Sequence, residues 1–502
     1  MAEENVRSFE KLARGSYYLI LDNIVNLSLG ALFWIVLAKL IEAAPLGQAM
    51  VAVAFATSVV GFAGYGVQVT ISKYTSEYNA KGMPKVSRKI LSLGIKLALM
   101  VSVAVAAVIA LLSGYIATEV YNDPSMTVLL ILVVLTFLPS QTVVSALMGA
   151  YQGSHKMKYA LISDSLYQVV RMGLAVFLVM SAFGGFGIIV SFAIASIVAS
   201  VTGYLFLIPR LFPKQVPAHD SGGLDSESEI RGVGQIVKFS GHNYAAVGMK
   251  TLTQQIGVLI VGTQNFELAA FYGLSVLISN LVGGVLNAVS RALLPTATEE
   301  WTKGNKEGFS HTLNSGVRLS MLISGIGFLI LVVQPDQVLG LISDQYIEAS
   351  TALRILVVSS IIYSLGAIIT SMLNAASRPA EVAKIGLTAS GITIAMTFIL
   401  TPLFYIEGAA VAMLVGSIAG LTMSMIGLKS KENISLSAKS TLKPAIAMMV
   451  GAASAFATML VTPNVVLSLA AGLATYGVVS IAWRVTTKKE IQTLITIMRK
   501  SR

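Results

Sequence analysis

The sequence contains no cysteine, which excludes disulfide staples, thiolate catalysis and cysteine-ligated metals. Charged residues make up only 12% of the chain, half of the ~25% usual for soluble domains. Its 4 histidines among 502 residues are too scattered to form a metal cage. No Walker loop occurs, which argues against an ATP-driven pump within this chain. There is no HExxH or DxD pattern and no large outer segment to hold a polymerase or ligase site. The sequence therefore reads as a non-enzyme that needs no cofactor. The start, MAEENVRSFEKLARG, carries both signs of charge and lacks the basic region and cleavage site of a signal peptide. It reads as a short surface helix leading into the first apolar stretch.

Apolar residues make up 55% of the chain, and the mean hydropathy is +0.78. About fourteen apolar stretches are long enough to cross a hydrocarbon core, which takes ~20 helical residues. They are 15–41, 48–72, 89–115, 126–150, 159–182, 187–209, 236–262, 269–294, 308–333, 348–374, 384–402, 407–428, 441–461 and 466–485. Lipid admits only helices or closed barrels as spanning elements, and these lengths indicate helices. The fold class expected is an all-α polytopic membrane protein.

The loops at every second boundary, 42–47, 116–125, 183–186, 263–268, 334–347, 403–406 and 462–465, contain no Lys or Arg. They carry Glu42, Glu119, Asp123, Glu267, Asp336 and Asp344 instead. The opposite loops hold Lys73, Lys81, Lys85, Arg88, Lys156, Lys158, Lys303, Lys306, Arg378 and Lys429. A Lys/Arg bias in short loops sets orientation in a bilayer, so both termini are expected in the cytoplasm of a multi-pass cell-membrane protein. The same bias accounts for the net charge of +11 without invoking nucleic acid.

The chain also repeats itself. Segment 73–102 lies on 295–324 without a gap, pairing Glu77 with Glu299, Lys81 with Lys303, Gly82 with Gly304, Gly94 with Gly316 and Lys96 with Arg318. Six spans per repeat is an even number, so both repeats enter from the same side and are related by an axis along the membrane normal. The expected organisation is an N-lobe at 1–212, a polar cytoplasmic linker at 213–235, a C-lobe at 236–430, and a C-terminal helix pair with a cytoplasmic tail at 431–502. Two six-helix lobes plus a pair is a transporter plan, with the default substrate site between the lobes.

Ionisable groups inside a bilayer are costly, ~2.5–3.5 kcal/mol on insertion scales, and tend to face an interior. Several lie at helical spacing. These are Asp22 and Asn26; Asp164, Gln168 and Arg171; Asn243, Lys250 and Gln254; Asn280, Asn287 and Arg291; and His311, Asn314 and Arg318. Arg291 is near a helix end and can equally snorkel to headgroups, and the same choice stands for Lys96 and Arg318. Asp164 can serve simply to neutralise Arg171. Arg171 and Lys250 are nearest mid-span. The central-cavity candidates are thus Arg171, Lys250, Arg318, Lys96, Arg291, Gln254 and Asn287. Their surplus of cations suits an anionic substrate such as phosphate or pyrophosphate. Asp22, Asn26 and Asp164 are the candidates for H⁺ or Na⁺ coupling.

The segment GSYYLILDNIVNLSLGALFWIVLAKLI, followed by PLGQAMVAVAF and GYGVQVTISKYTSEYNAKG, resembles the start of the polysaccharide (O-antigen type) flippases. ALLPTATEEWTKGNKEG and LISDQYIEASTALRILVVSSIIYSLGAIITSMLNAASRP are similar to later stretches of that family. Its superfamily also holds lipid II flippases and multidrug and toxic compound extrusion antiporters. The resemblance implies two six-helix lobes, alternating access, and a polyprenyl- or dolichyl-linked oligosaccharide as the partner, with membrane lipids and glycan-assembly enzymes around it. It also implies cationic cavity residues, consistent with Arg171 and Lys250. The antiporter relatives use a membrane-embedded Asp in the first lobe, where Asp22 could stand, so a cation-coupled antiporter is the alternative.

Overall fold

A computed structural model describes residues 25–64, 66–212, 248–434, 436–462 and 464–483. The linker expected at 213–235, the tail and the N-terminal surface helix lie outside these residues. All the regular elements within them are helices. In chain order these are α1 (Val25–Leu40), α2 (Ala43–Ala63), α3 (Val67–Ala80), α4 (Pro84–Val120) and α5 (Met126–Gly153). Then follow α6 (Met157–Leu178), α7 (Gly184–Thr202, running on helically to Leu211), α8 (248–262), α9 (Phe266–Thr302), α10 (Lys306–Val333) and α11 (Ser350–Ala375). Pro379–Glu432 is broken at Phe404 and Tyr405 into α12 (379–403) and α13 (406–432). Last come α14 (Ala438–Val461) and α15 (Val465–Ala482).

Ten helical stretches are long and apolar enough to cross a membrane. Two of them, Met157–Leu211 and Pro379–Ser430, contain a reversal of direction and so count twice. With the shorter described parts of α1 and α8, these helical segments are consistent with the expected number. One expected span differs. Stretch 48–72 is not a single helix, because the backbone at Gly66 takes φ 63°, a left-handed conformation that glycine reaches without strain. The break separates α2 from the more polar α3. Helix α3 lies tight on α5, where Gly149 and Gly153 leave room for the carbonyls of Gln68 and Ser72; a Cβ at either glycine would come within 2.4 Å of them.

The repeat seen in the sequence recurs as geometry. Gly82 and Gly304, partners in that alignment, turn the chain with φ 73° and 69°. Ahead of each stands an i,i+4 ion pair, Lys81–Glu77 and Lys303–Glu299. His155 and Ser377, related by the same offset, take φ 53° and 59°. Hydroxyl pairs bridge helices at similar places: Ser140 to Ser196 at 2.6 Å and Ser359 to Ser417 at 3.0 Å. Hydroxyls that face lipid or core mostly bond back to a carbonyl one turn earlier, as Thr136 does to Leu132, so few are left unpaired in the apolar medium.

Two compact units divide the chain at Gly273/Leu274. The sequence repeat restarts at α8, yet α8 and the start of α9 pack within the first unit. Gly61 of α2 faces Thr251, Gly47 abuts the backbone of Phe266, and Gly273 faces Met50. Within the second unit the C-terminal pair docks on α10. The Tyr476 hydroxyl donates to the Leu322 carbonyl at 2.9 Å, and the Gln334 amide donates to Ser468 Oγ at 3.4 Å.

Candidate functional site

Helix α6 presents Asp164, Tyr167, Gln168 and Arg171 at i, i+3, i+4 and i+7, a single helical face. That face meets α1, which carries Asn26 and, two turns on, Phe33. A chain of side-chain hydrogen bonds joins them. Asn26 Nδ2 donates to Asp164 Oδ2 at 3.1 Å, Gln168 Nε2 donates to Asn26 Oδ1 at 2.8 Å, and Arg171 Nη2 donates to Gln168 Oε1 at 2.5 Å. Along this chain each amide accepts at its oxygen and donates from its nitrogen, so the chain has one direction, from the guanidinium to the carboxylate.

Arg171 is only 6% exposed. Rings enclose its guanidinium: Phe33 at 4.0 Å from the ring centre, Phe192 of α7 at 4.8 Å and Tyr167 at 5.3 Å. Phe33 and Phe192 in turn meet edge to face, 5.5 Å apart. A cation over aromatic faces in a dry site gains ~2 kcal/mol, which offsets part of the cost of holding a charge among apolar helices. Arg171 Nε is buried without a hydrogen-bond partner. The arrangement fixes α1, α6 and α7 together and stores one positive and one negative group in the first unit.

The other expected site residues are spread out. Lys250 and Gln254 are exposed, one turn apart on α8. Lys96 is exposed on α4. Asn287 is half-buried on α9. Arg291 lies on the same helix, with a side chain outside the described residues. Arg318 is half-buried on α10 and reaches Ser315 Oγ at 3.5 Å. Asn314, from the same stripe, serves the packing: its Oδ1 accepts from the Ser437 backbone N–H at 2.8 Å, tying α10 to the entry of α14. Asp22 and Asn243 lie outside the described residues. The structure thus brings Asn26, Asp164, Gln168 and Arg171 together. Sequence reasoning missed the ring enclosure. Its only local signal was Tyr167, one turn before Arg171; Phe33 and Phe192 come from distant helices.

The second repeat has no equivalent chain. At the offset that aligns Gly82 with Gly304, the positions matching Asn26, Asp164, Gln168 and Arg171 are Gly248, Gly386, Ser390 and Thr393. The two repeats share turns but not this polar core.

Many apolar spans, an internal six-span repeat and a charged group buried among helices define a multi-pass membrane transporter. The chain belongs to the polysaccharide biosynthesis protein family, whose family model matches residues 12–301, more than half of the 502. A second model, MatE, matches 249–399. The chain is 22% identical over 423 residues to Stage V sporulation protein B of Bacillus subtilis (strain 168), covering 81% of each. It is 23% identical over 350 residues to the Lipid II flippase MurJ of the same organism, covering 62% of each. Among solved structures, a Lipid II flippase MurJ in an inward closed conformation superposes with TM-score 0.75 at 15% identity, over 94% of this chain and 99% of that one. An inward-facing multidrug resistance MATE family transporter of the MOP superfamily gives TM-score 0.64 at 14% identity, over 82% and 96%. These likenesses establish the fold, and the resemblance read from the sequence is met at the level of the family.

Proposed function

We propose that the protein is a flippase that carries a lipid-linked oligosaccharide, joined through phosphate or pyrophosphate to its lipid, across the cytoplasmic membrane by alternating access. The observation that carries this reading is the match of the polysaccharide biosynthesis model to 12–301, which spans the helices bearing Lys96, Arg171 and Lys250. The surplus of cations on these helices suits a phosphate-bearing cargo, and the names of the flippase relatives point the same way. In this reading Lys250, exposed on α8, meets the cargo phosphate, while Arg171 holds the first unit in shape. The protein acts as a carrier, with no reaction and no cofactor, and works beside the enzymes that assemble the glycan.

The test is transbilayer movement of a fluorescent polyprenyl-pyrophosphate oligosaccharide in proteoliposomes. Lys250→Ala should abolish movement and Lys250→Arg should retain part of it. Normal rates in Lys250→Ala would remove Lys250 from the mechanism. No movement by the wild-type chain would refute the flippase reading.

The orientation proposed places both termini in the cytoplasm, following the Lys/Arg bias. Gly47 is unsuitable for labelling, because a side chain there collides with the Phe266 backbone. Ala44→Cys and Glu119→Cys, both exposed positions, should react with an impermeant thiol reagent in intact cells. Lys85→Cys and Lys303→Cys should not, and the reverse pattern would invert the topology.

A cation-coupled antiporter is the second reading, favoured by the MatE match at 249–399 and by the Asn26–Asp164 contact. It expects Asp22→Asn or Asp164→Asn to uncouple export of an organic cation from an imposed ion gradient.

A further inference from the structure

The turn into α6 and the end of α7 form one corner. Tyr159 and Ala160 from the first turn of α6 share an apolar cluster with Ile208, Leu211 and Phe212 from the last turn beyond α7. The second repeat builds the same corner from α12 and α13. There Arg378 stands just before α12 and Glu432 closes α13. Arg378 Nε donates to Glu432 Oε1 at 2.9 Å, with Glu432 only 6% exposed. The corner is neutralised from within.

The two corners enter their first helix with matching backbone angles. Lys156 takes φ −109° and ψ 60°, and Arg378 takes φ −112° and ψ 49°. The first-repeat positions matching Arg378 and Glu432 hold Lys156 and Arg210. The acid has been replaced by a cation. Lys158, in the first turn of α6, adds a third positive charge. All three are exposed, and among the described residues none of them has an ion-pair partner. The nearest acid on α6, Asp164, is engaged by Asn26. Three cations without an ion-pair partner at one corner are open to an anion from outside the described fold.

The surroundings say which anion. Around the end of α7, Tyr204, Leu205 and Phe206 are 48%, 57% and 59% exposed, with Phe206 one turn before Arg210, and Ile162, one turn after Lys158, is 41% exposed. These are lipid-facing side chains, within about two turns of the cations. A free ion has no use for that apolar flank, whereas a phospholipid fills both parts, its phosphate on the cations and its acyl chains on the rings.

We propose that Lys156, Lys158 and Arg210 form a docking surface for the phosphate of an anionic membrane phospholipid. This surface is absent from the second repeat, where Glu432 occupies the equivalent place. Lipid binding at this surface rests on neither the orientation nor the flippase reading proposed above.

The experiment uses the purified full chain in uncharged detergent micelles and follows thermal unfolding by tryptophan fluorescence. Phosphatidylglycerol, phosphatidylcholine or sodium phosphate is titrated in. Phosphatidylglycerol should raise the midpoint in a saturable way, and the other two should not. Each juxtamembrane cation contributes about fivefold in affinity for an anionic surface. Lys156→Gln should therefore weaken the effect about fivefold. Arg210→Glu, which copies the second repeat's arrangement, should weaken it more than tenfold while keeping the midpoint in phosphatidylcholine. Should Arg210→Glu not fold, the double variant Lys156→Gln/Lys158→Gln carries the test. Equal stabilisation by phosphatidylcholine, equal stabilisation of variant and wild type, or an equal effect of sodium phosphate would each overturn the proposal. No transport is measured, so this outcome is independent of whether the protein flips a glycan lipid.

Discussion

Replacing Arg171 by Met separates the contribution of the buried charge to the fold from its contribution to transport. The guanidinium lies over Phe33 and Phe192 at 4.0 and 4.8 Å, an interaction of ~2 kcal/mol when desolvated. Its hydrogen bond to Gln168, being charge-assisted, contributes ~1.5–3 kcal/mol. Against these stand ~2.5–3.5 kcal/mol for placing a cation among apolar helices and ~1–3 kcal/mol for the unpartnered Nε. The two sides cancel to within ~2 kcal/mol. Met is long and unbranched and fills most of the space between the rings. Arg171→Met should therefore unfold within a few degrees of wild type. Arg171→Ala removes the same charge but leaves a void between Phe33, Phe192 and Tyr167, and large-to-small changes of this kind cost ~2–5 kcal/mol. Thermal unfolding in detergent reads the first quantity, and proteoliposome flipping reads the second. If the charge acts in transport, both variants lose at least tenfold in rate although Met keeps the fold. Equal destabilisation by Met and Ala would make the charge structural, and wild-type flipping by a stable Arg171→Met would end its role in transport.

Three further predictions concern the packing around the loops at 42–47, 116–125 and 263–268 and the C-terminal pair. Gly47→Ala would place a Cβ 1.7 Å from the Phe266 carbonyl oxygen; backbone cannot swing aside, so destabilisation at the upper end of the ~1–3 kcal/mol range for overpacking is expected, and an unchanged midpoint would show that α2 and the α8–α9 turn do not meet there. Partial burial pushes the Asp123 carboxyl up, but hydrogen bonds from Ser125 and from Gln48 at 2.7 Å outweigh it and hold the carboxyl below its ordinary range. A depressed folded value means that stability is present above the unfolded value of ~4 and is lost as pH falls through the folded one. The midpoint difference between wild type and Asp123→Asn should shrink on acidification below about pH 4, and a constant difference would refute it. Tyr476→Phe deletes the 2.9 Å bond to Leu322 and should cost ~1 kcal/mol in thermal unfolding; no change would mean that shape alone docks α15.

What the sequence disclosed follows from the range of each signal. Span positions were legible because lipid imposes one requirement along the whole helix, a run of apolar residues. The pairing of Gly82 with Gly304 was legible because the left-handed angle selects glycine in both repeats. The identical turn at His155 and Ser377 was not, because two different residues bear the same φ. The break at Gly66 hid inside the glycine-rich GFAGYG run, where hydropathy stays high across a change of direction. The α6 face of the polar chain showed itself as a stripe at i, i+4 and i+7. Its enclosure did not, since Phe33, Tyr167 and Phe192 meet only when three helices pack.

The turns at Gly82 and Gly304, and at His155 and Ser377, hold the same angles in both repeats, so these parts of the backbone have kept their plan while the side chains have parted. They part at two places in particular. The chain Asn26–Asp164–Gln168–Arg171 stands where the second repeat has Gly248, Gly386, Ser390 and Thr393. The cations Lys156 and Arg210 stand where it has the Arg378–Glu432 pair. A structural need common to both halves would have left the same chemistry in both, as it did with the Lys81–Glu77 and Lys303–Glu299 pairs. Chemistry present in one half alone answers to a need of that half, in its packing or in what it meets outside the shared fold. The buried chain is shielded from lipid and holds α1, α6 and α7 together, and the Arg171→Met variant reads any further part it has in transport. The exposed corner borders lipid-facing rings, which leaves it to the bilayer.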